Sequence, residues 1–256
     1  MKIAWLQYDI VWQNPEKNMK ILEEMLESSN ESWDLLILPE MFDTGFCMNP
    51  DEMEGREVEK TIGWMEQVAR TYTCAVGGST SVRLDKGTFV NRFVYVDSNQ
   101  LETYAKIHLF SLSGEHEAYS AGNRIRSIKH SSGLVFRPLI CYDLRFPSIS
   151  LHRGELDLII YVANWPESRI DHWDSLLKAR AIENQCFVLG VNRVGRDGNG
   201  LSYNGSSAIY SYDGKTLLGS QNQSGLFVQK IDISGMKEYR KKLPFLIDRR
   251  VTAEEN

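Results

Sequence analysis

The sequence predicts an α/β fold with layered helices and a mixed sheet, built as one domain over residues 1–256. Three observations lead to this prediction: strand-like and helix-like segments alternate along the chain, no linker or low-complexity run divides it, and no short internal repeat appears. Two of the strand-like runs, at 34–39 and 157–163, are continuously apolar after a first aspartate, which is typical of strands that are covered on both faces.

The first half of the chain begins with a strand and an amphipathic helix. Pro15 suits the first turn of that helix, and apolar residues then recur at helical spacing from Ile21 to Leu26. Farther along, two segments alternate in polarity, as strands do. The predicted strands of this half are 2–8, 34–39, 89–97 and 102–110, and the predicted helices are 15–29 and 58–71, the second followed by the Gly-containing segment 74–80.

The second half repeats the alternation and ends on a predicted hairpin. An Asp-Gly pair is a common two-residue hairpin turn, so 206–215 and 225–233 are predicted as the late strands around it. Within the predicted helix 172–185, Arg180 and Glu183 lie three residues apart, and we expect them to form an ion pair. The other predicted strands are 133–142, 157–163 and 187–194, and a short helix is predicted at 148–153.

Composition and charge argue against several classes of function. With a net charge of −5 and a pI near 5.6, the chain lacks the basic face that favours nucleic acid. The basic segment 240–250 is short and is predicted to be a solvated face. No apolar stretch reaches the ~20 residues of a membrane helix, and the N-terminus is too polar for a signal peptide. Nucleotide binding is not expected, because a P-loop lysine and a GxGxxG motif are both missing.

The four cysteines show neither paired nor C-x-x-C spacing. This pattern predicts reduced thiols in a cytoplasmic protein, and it argues against a disulfide scaffold or a zinc site. We therefore expect no metal and no cofactor. Three of the cysteines are interpreted as structural, namely Cys47, Cys74 and Cys186.

The fourth cysteine, Cys141, stands where an apolar run turns into the sequence YDLR. Buried cysteines normally lie inside apolar runs as small, inert side chains. Two other polar groups occupy comparable places, because Glu40 closes the strand 34–39 and Lys106 lies in the strand-like run 102–110. Since α/β sheets bind ligands at the carboxyl ends of their strands, we expect these three groups to lie near one another.

Each of these residues alone fits a structural role, as a buried Glu40–Lys106 ion pair beside an inert cysteine, because an unpaired buried charge is costly. Together they have a chemical use. A carboxylate whose pKa is raised by an apolar site can take the thiol proton of Cys141, and a protonated lysine can hold the negative oxygen formed on attack. The alternative base is a histidine; the five histidines show no Cys/His signature, but a pair in space stays open.

Three blocks of the sequence resemble the signature blocks of the nitrilase superfamily of carbon–nitrogen hydrolases, in the same order: LLILPEMFDTGF, YAKIHLF and LICYDLRFP. The resemblance, which runs nearly end to end, implies a four-layer αββα sandwich and a Glu–Lys–Cys triad, matched here by Glu40, Lys106 and Cys141. It also implies a second glutamate after the lysine, for which Glu115 is the better match and Glu117 the alternative. Because the family's sandwiches usually associate through helices, it further implies a homodimer or larger homo-oligomer.

A narrower resemblance lies in three further segments, which are similar to the omega-amidase branch of the superfamily, the 2-oxoglutaramate amidases: GEHEAYSAGN, YVANWPESR and KARAIENQCFVLGVNRVGRDGNG. Such enzymes hydrolyse the side-chain amide of 2-oxo acids. The resemblance implies a cofactor-free thiol amidase that acts on a small amide and releases ammonia through a cysteine thioester. Another nitrilase-family amidase or nitrilase with a different small substrate stays open, and so does a catalytically silent binding protein on the same fold.

Three residues near the cysteine are candidates for binding the substrate. The backbone N–H of Tyr142 is expected to donate to the oxyanion. Trp165 follows a buried strand and is expected near the pocket, as a wall for the substrate or as core. Arg145 can bind a substrate carboxylate as a planar fork, but a pair with Asp143 or another acid is the interpretation that we favour.

Overall fold

Two β-sheets pack face to face in this chain, whose residues 1–50, 58–84 and 87–250 are described by a computed structural model. Within these ranges the first sheet has six strands and the second has seven. Helices pack on the outer face of each sheet, so the layers follow the order helix, sheet, sheet, helix. The four-layer αββα sandwich implied by the family resemblance is thereby confirmed.

The first sheet places a strand from the beginning of the chain beside one from near its end. Its strands are β1 (Lys2–Gln7), β2 (Leu35–Ile37), β3 (Ala75–Arg83), β4 (Phe89–Val96), β5 (Leu101–Ala105) and β13 (Gly225–Lys230). They lie in the order β13-β1-β2-β3-β4-β5. The three strands β1, β2 and β3 are parallel, and every other neighbouring pair is antiparallel.

The second sheet also has a parallel centre. Its strands are β6 (Ile128–Lys129), β7 (Val135–Ile140), β8 (Leu158–Val162), β9 (Phe187–Val191), β10 (Val194–Arg196), β11 (Ser202–Tyr210) and β12 (Thr216–Gln221). The order is β10-β11-β9-β8-β7-β6, with β12 paired to β11. Because β7, β8 and β9 are parallel, their carboxyl ends lie at the same edge of the sheet.

The helices begin where local capping favours them. The side chain of Asn14 accepts a hydrogen bond from the Lys17 N–H at 3.0 Å, and Pro15 follows as the first helical residue. Asp232 caps the last helix by accepting from the Gly235 N–H at 3.1 Å. The helices of the described ranges are α1 (Pro15–Glu27), α2 (Val58–Tyr72), α3 (Glu115–Ala118), α4 (Ile170–Asn184) and α5 (Ile233–Lys242).

Alternate residues of the strands face two different cores. Ala4 and Leu6 of β1 belong to the apolar cluster beneath α1 and α2, whereas Ile3 and Trp5 belong to the cluster that fills the space between the sheets. The second cluster continues through the other sheet to side chains of α4 and α5. Since successive side chains of a strand point to opposite faces, a strand with apolar residues at every position is buried on both faces.

Two predictions for the later elements are wrong. The Asp-Gly turn joins β11 to β12, while residues 225–230 form β13 and pair with β1 in the other sheet. A two-residue turn requires its partner strand to begin directly after it, which places that strand at 216–221. The predicted helix 148–153 is a 3-10 turn over Pro147–Ser150. The guanidinium of Arg137 binds the carbonyls of Ile149 and Leu151, each at 2.9 Å, so these carbonyls are not available for an α-helix.

Helix α5 was not predicted, and only its last three residues, 240–242, lie in the basic segment interpreted as a solvated face. Met236 is the only residue of α5 that is buried. An apolar periodicity therefore hardly shows in the sequence, and the helix depends on its cap and on basic residues near its end.

The elements bring candidate residues from both sheets to one place. Glu40 follows β2, and Cys141 directly follows β7. Lys106 comes directly after β5, which ends at Ala105 and does not extend to residue 110 as predicted. All three side chains thus follow the carboxyl ends of strands.

Candidate active site

Cys141 stands at a sharp turn between β7 and a 3-10 helix that runs over Cys141–Arg145. Its φ is +46°, in the left-handed region that side chains with a Cβ rarely adopt, and such a conformation costs about 1–3 kcal/mol. Met41, directly after Glu40, has a φ of +45°. Strained backbone therefore adjoins both residues, as is common at functional sites.

Glu40 is fully buried and accepts hydrogen bonds from three different residues. Its Oε1 lies 3.0 Å from the Lys106 Nζ and 2.8 Å from the Asn91 Nδ2. Its Oε2 accepts from the backbone N–H of Asn164 at 2.8 Å. The carboxylate is thereby held in one orientation, and it lies close enough to Cys141 to raise the pKa of the thiol.

Lys106 is paired with two carboxylates. In addition to Glu40, its Nζ lies 2.9 Å from each carboxylate oxygen of Glu115, and Glu115 also accepts from the Phe110 N–H at 2.6 Å. The ammonium lies 5.1 Å from the centre of the Phe46 ring, as a cation–π contact. Glu117, the alternative second glutamate, has a side chain that is 79% exposed. The structure therefore places Glu115, and not Glu117, beside the lysine.

The electrostatics of this cluster keep the thiol protonated and the lysine charged. Burial raises the pKa of Cys141 well above its usual value, and the charge of Glu40 adds to this rise, while Lys106 opposes it. Burial alone lowers the pKa of Lys106, but the carboxylates of Glu115 and Glu40 outweigh burial and raise it. A thiol in this state needs a base before it can act as a nucleophile, and Glu40 is the carboxylate with the larger influence on its pKa.

No histidine contacts Cys141 in the part of the chain that the structure describes. The Nδ1 of His108 lies 2.9 Å from Asp143, and that of His172 lies 3.3 Å from the Arg145 guanidinium. The remaining three contact residues of their own loops. A Cys/His pair in space, which the sequence left open, is not formed.

Asp143 ties the turn of Cys141 to the segment that carries Lys106. Its Oδ2 accepts from the Tyr104 hydroxyl at 2.7 Å and from the Ile140 N–H at 3.0 Å. Its Oδ1 accepts from the backbone N–H of His108 at 3.0 Å and contacts the ring of that histidine. Asp143 does not bind Arg145, so that favoured pairing is wrong: the four positions of the carboxylate are already taken.

A cavity of about 330 Å³ opens beside Cys141. Tyr142, Arg145 and Trp165, the three residues predicted to bind substrate, all line it. The Arg145 guanidinium lies 4.8 Å from the ring centre of Trp165, and Arg169, also in the lining, lies 5.6 Å from the ring centre of Phe110. Within the described ranges neither guanidinium contacts a carboxylate.

Trp165 lines the cavity and is also part of the hydrophobic core. It lines the cavity but is only 3% exposed, and its ring packs 5.5 Å from that of Trp173. Asn192 fixes its backbone on both sides, because the Asn192 side chain accepts from the Trp165 N–H at 2.8 Å and donates to the Trp165 carbonyl at 3.0 Å.

The predicted ion pair of Arg180 and Glu183 is present at 3.1 Å. Arg180 also donates to the carbonyl of Leu144 at 2.7 Å. Helix α4 therefore supports the turn that follows Cys141 from beneath, and Arg180 does not enter the cavity lining.

A larger cavity, of about 980 Å³, lies at the other end of the first sheet. It is lined by residues that precede β2 and β3, among them Asp34 and Cys74, together with His130. Burial raises the pKa of the Cys74 thiol to about 11, and no ammonium or buried carboxylate accompanies it in that lining. The cavity beside Cys141 is the smaller of the two, and it is chosen as the candidate site because of the reactive groups that adjoin it.

Sequence reasoning missed three residues of this site: Asn91, Asn164 and Arg169. Asn164 follows β8 and directly precedes Trp165. Like Glu40 and Cys141 it is a polar residue just after a buried strand, so the same observation could have identified it. Asn91 lies inside the largely apolar strand β4, where a fully buried polar side chain is itself a signal. Arg169 ends a 3-10 helix over Glu167–Arg169, and its local sequence carries no such signal.

Comparisons with known proteins agree with this geometry. The family model described as carbon-nitrogen hydrolase matches residues 2–241. The chain is 38% identical over 246 residues to the omega-amidase YafV of Escherichia coli, covering 95% of this chain and 94% of that protein. It is 34% identical over 253 residues to the 2-oxoglutaramate amidase of Bacillus subtilis, covering 97% of each.

A solved structure of 34% sequence identity, XC1258 from Xanthomonas campestris, superposes with a TM-score of 0.92 and covers 99% of this chain and 98% of that one. That protein is described as a CN-hydrolase superfamily protein with an arsenic adduct in its active site. The matched family, the relatives and the shared fold confirm the resemblance that the sequence motifs indicated. The chain therefore belongs to the carbon–nitrogen hydrolase family, the nitrilase superfamily, and is an amidase similar to the omega-amidases.

Proposed function

We propose that this amidase hydrolyses the side-chain amide of short 2-oxo dicarboxylate monoamides, such as 2-oxoglutaramate, through a thioester on Cys141. One observation carries the proposal: a buried carboxylate, Glu40, lies 3.0 Å from the Lys106 Nζ, and its charge raises the pKa of the Cys141 thiol beside it. A base and a cation thus lie buried behind a nucleophile, Cys141, that lines a cavity. The names of the relatives support the choice of substrate.

In the first half of the reaction Glu40 takes the proton of the Cys141 thiol, and the sulfur attacks the amide carbon. A C–S bond forms, and the carbonyl electrons move to the oxygen. Glu40 then gives the proton to the amide nitrogen, the C–N bond breaks, and ammonia leaves. The product of this half is a thioester between the acyl group and Cys141.

In the second half a water molecule takes the place of ammonia. Glu40 removes a proton from the water, and the hydroxide attacks the thioester carbon. The C–S bond breaks, and the departing sulfur of Cys141 takes the proton back from Glu40. One amide and one water thus yield one carboxylic acid and one ammonia, and the enzyme returns to its starting state.

The negative oxygen of each tetrahedral intermediate needs donors that are already in place. Lys106 supplies a fixed positive charge, because Glu40 and Glu115 keep it protonated. The backbone N–H of Tyr142 lies in the first turn of the 3-10 helix after Cys141, where N–H groups have no partner within the helix. These two donors are assigned to the oxyanion.

The far end of the substrate is assigned to Arg145 and Arg169. Each guanidinium packs on an aromatic ring of the cavity wall, and apart from the contact of Arg145 Nη2 with His172 at 3.3 Å, their N–H groups are assigned to a carboxylate or a 2-oxo group of the substrate. The cavity volume of about 330 Å³ suits a substrate of a few carbons. Charge and size therefore both favour a small anionic amide over a long or neutral one.

Replacement of the nucleophile tests the mechanism. In Cys141→Ala we expect the fold to persist and the release of ammonia to fall at least about 10³-fold, because no thioester forms. Cys186→Ala is the matched control: Cys186 is fully buried but lies outside the cavity lining, so its activity should stay close to that of the wild type. Full activity of Cys141→Ala would end the proposal.

A substrate comparison separates the remaining alternatives. Ammonia is measured from 2-oxoglutaramate, glutamine and a simple nitrile side by side. Preference for 2-oxoglutaramate supports the proposal, whereas preference for the nitrile overturns it. If none of the three reacts, and iodoacetamide does not label Cys141 in the folded protein, the chain is a silent binding protein on this fold.

A further inference from the structure

Asn91 is fully buried in β4 and holds three parts of the site at once. Its side-chain amide nitrogen donates to the Glu40 Oε1 at 2.8 Å and to the Glu115 Oε1 at 3.3 Å. Its backbone carbonyl accepts from the N–H of Lys106 at 2.9 Å. The base, the lysine and the second glutamate therefore all depend on one residue that does not line the cavity.

The orientation of the Asn91 amide follows from its neighbours. The Ser79 hydroxyl donates to the Asn91 Oδ1 at 3.0 Å, and the same hydroxyl accepts from the N–H of Met41 at 3.0 Å. On the other side of the amide stand two carboxylates, which only accept hydrogen bonds when they are ionised. The NH₂ group must face them, so the amide is locked between β3 on one side and the two acids on the other.

The buried cluster of Glu40, Glu115 and Lys106 has more negative than positive charge. Two carboxylates and one ammonium share a region from which water is excluded, since Glu40, Lys106 and Glu115 are at most 1% exposed. Burial raises the pKa of Glu115 against the influence of Lys106, and the charge of Glu40 adds to that rise. Like charges so close together favour uptake of a proton by one of them. A neutral donor that reaches both acids opposes that uptake without altering the charge.

We propose that Asn91 is a positioning residue that keeps Glu115 ionised beside Glu40, and that it thereby sets the pH below which this pair of carboxylates no longer provides a base for Cys141. The proposal rests on the proposed function, in which Glu40 is the base. Asn91 touches neither the substrate nor the sulfur, and it acts only through the two carboxylates.

Two substitutions of Asn91 probe this role in different ways. Asn91→Asp keeps the shape but adds a third carboxylate, so the acid limb of the kcat/KM profile should move up by about one pH unit or more, a roughly tenfold loss below that limb. Asn91→Leu removes the donor without adding charge, and a smaller shift in the same direction is expected. A residue with a merely structural role would lower the rate equally at every pH.

Alkylation of Cys141 supplies a readout that needs no substrate. The rate at which iodoacetamide carboxamidomethylates Cys141, followed by mass spectrometry against pH, should shift with the kcat/KM profile in both variants. If the amidase assignment fails, alkylation alone still decides about Asn91. Unshifted alkylation profiles in folded variants overturn the inference, whatever the substrate proves to be.

The control substitution is Asn184→Asp on α4. Asn184 is also fully buried, but its side chain contacts the Arg180 carbonyl, Glu183 and Arg249 and none of the reacting groups. It should leave the pH profile in place, and a shift equal to that of Asn91→Asp would overturn the inference. If neither Asn91 variant folds, the side-chain NH₂ resonances of Asn91 in the wild type decide: they must titrate with the same midpoint as the alkylation rate, and resonances that stay fixed contradict the proposal.

Discussion

At the scale of single residues, the reactivity of Cys141 depends on a proton that its surroundings hold in place. Burial and the adjacent Glu40 both raise the pKa of the thiol, so the resting cysteine is neutral. Many reactive cysteines work in the opposite way, with a pKa lowered by a positive neighbour. Here the Lys106 ammonium is paired with two carboxylates, each within 3.0 Å. In the proposed mechanism the thiolate is therefore formed by Glu40 during the reaction.

Arg169 carries a prediction about specificity at the same scale. Since its guanidinium lines the cavity and contacts no carboxylate within the described ranges, Arg169→Ala should raise KM for 2-oxoglutaramate by about tenfold, with a smaller change in kcat. For a neutral amide of similar size, kcat/KM should hardly change. Steady-state kinetics with both substrates measures the difference.

The control for this prediction is Arg153→Ala, because Arg153 is exposed and does not line the cavity. It removes an equal charge from the protein without touching the site. If Arg169→Ala lowers kcat/KM equally for both substrates, then Arg169 supports the cavity wall and does not bind the anionic group.

At the scale of elements, the site depends on how two segments are joined. Residues that follow β5 carry Lys106, and the turn that follows β7 carries Cys141; these belong to different sheets. The carboxylate of Asp143 binds Tyr104 and His108 of the first segment and Ile140 of the second. This contact fixes the distance between cation and nucleophile across the sandwich.

Asp143→Asn tests this link. One amide oxygen cannot replace two carboxylate oxygens that accept from several donors, so buried N–H groups lose their partners. We expect the free energy of unfolding to fall by roughly 2–4 kcal/mol and kcat to fall more than KM changes. Tyr104→Phe removes one of the contacts and should cost less, about 1 kcal/mol. Denaturant unfolding together with kinetics checks both, and equal stability of Asp143→Asn and the wild type would contradict the role of the link.

What the sequence predicts at this scale depends on how local the signal is. Glu40 and Cys141 could be found because a continuous apolar strand ends beside each of them. Asn91 could not be assigned a role, since its partners Glu40 and Glu115 are 51 and 24 residues away in the chain. The partner of Asp143 was predicted wrongly for the same reason: Tyr104 and His108 reach it only through packing of the two sheets.

At the scale of the whole molecule, the family motifs predicted more than the residue patterns did. Alternating segments indicated layers and a mixed sheet, but they did not indicate that the strands divide into two sheets. The pairing of β13 with β1 joins residues more than 200 positions apart in the chain, and a local periodicity carries no information about such a contact. The single domain, the homo-oligomer and the cytoplasmic location stay predictions. Among the described helices, none is long and apolar enough to cross a membrane.

The last prediction concerns the pH dependence of the stability of the molecule, through His152. This histidine is 4% exposed, and its Nδ1 accepts from the Gly154 N–H at 2.9 Å. Burial, with the charges of Arg240, Arg137 and Arg249, lowers its pKa from 6.5 to about 3, and Glu155 opposes them. Between these two pH values the unfolded chain takes up a proton that the folded chain refuses.

The sign of the effect follows from this uptake. Above pH 6.5 both states are neutral at His152 and stability is unaffected; as the pH falls toward 3, the free energy of unfolding drops by about 1.4 kcal/mol per pH unit because of this one group. His152→Asn keeps an acceptor for the same N–H and does not titrate, so its stability should fall less steeply over that range. His116→Asn, at a side chain that is 52% exposed, should follow the wild type. Urea unfolding at several pH values measures the slopes, and parallel curves for His152→Asn and the wild type would show that His152 does not titrate differently in the two states.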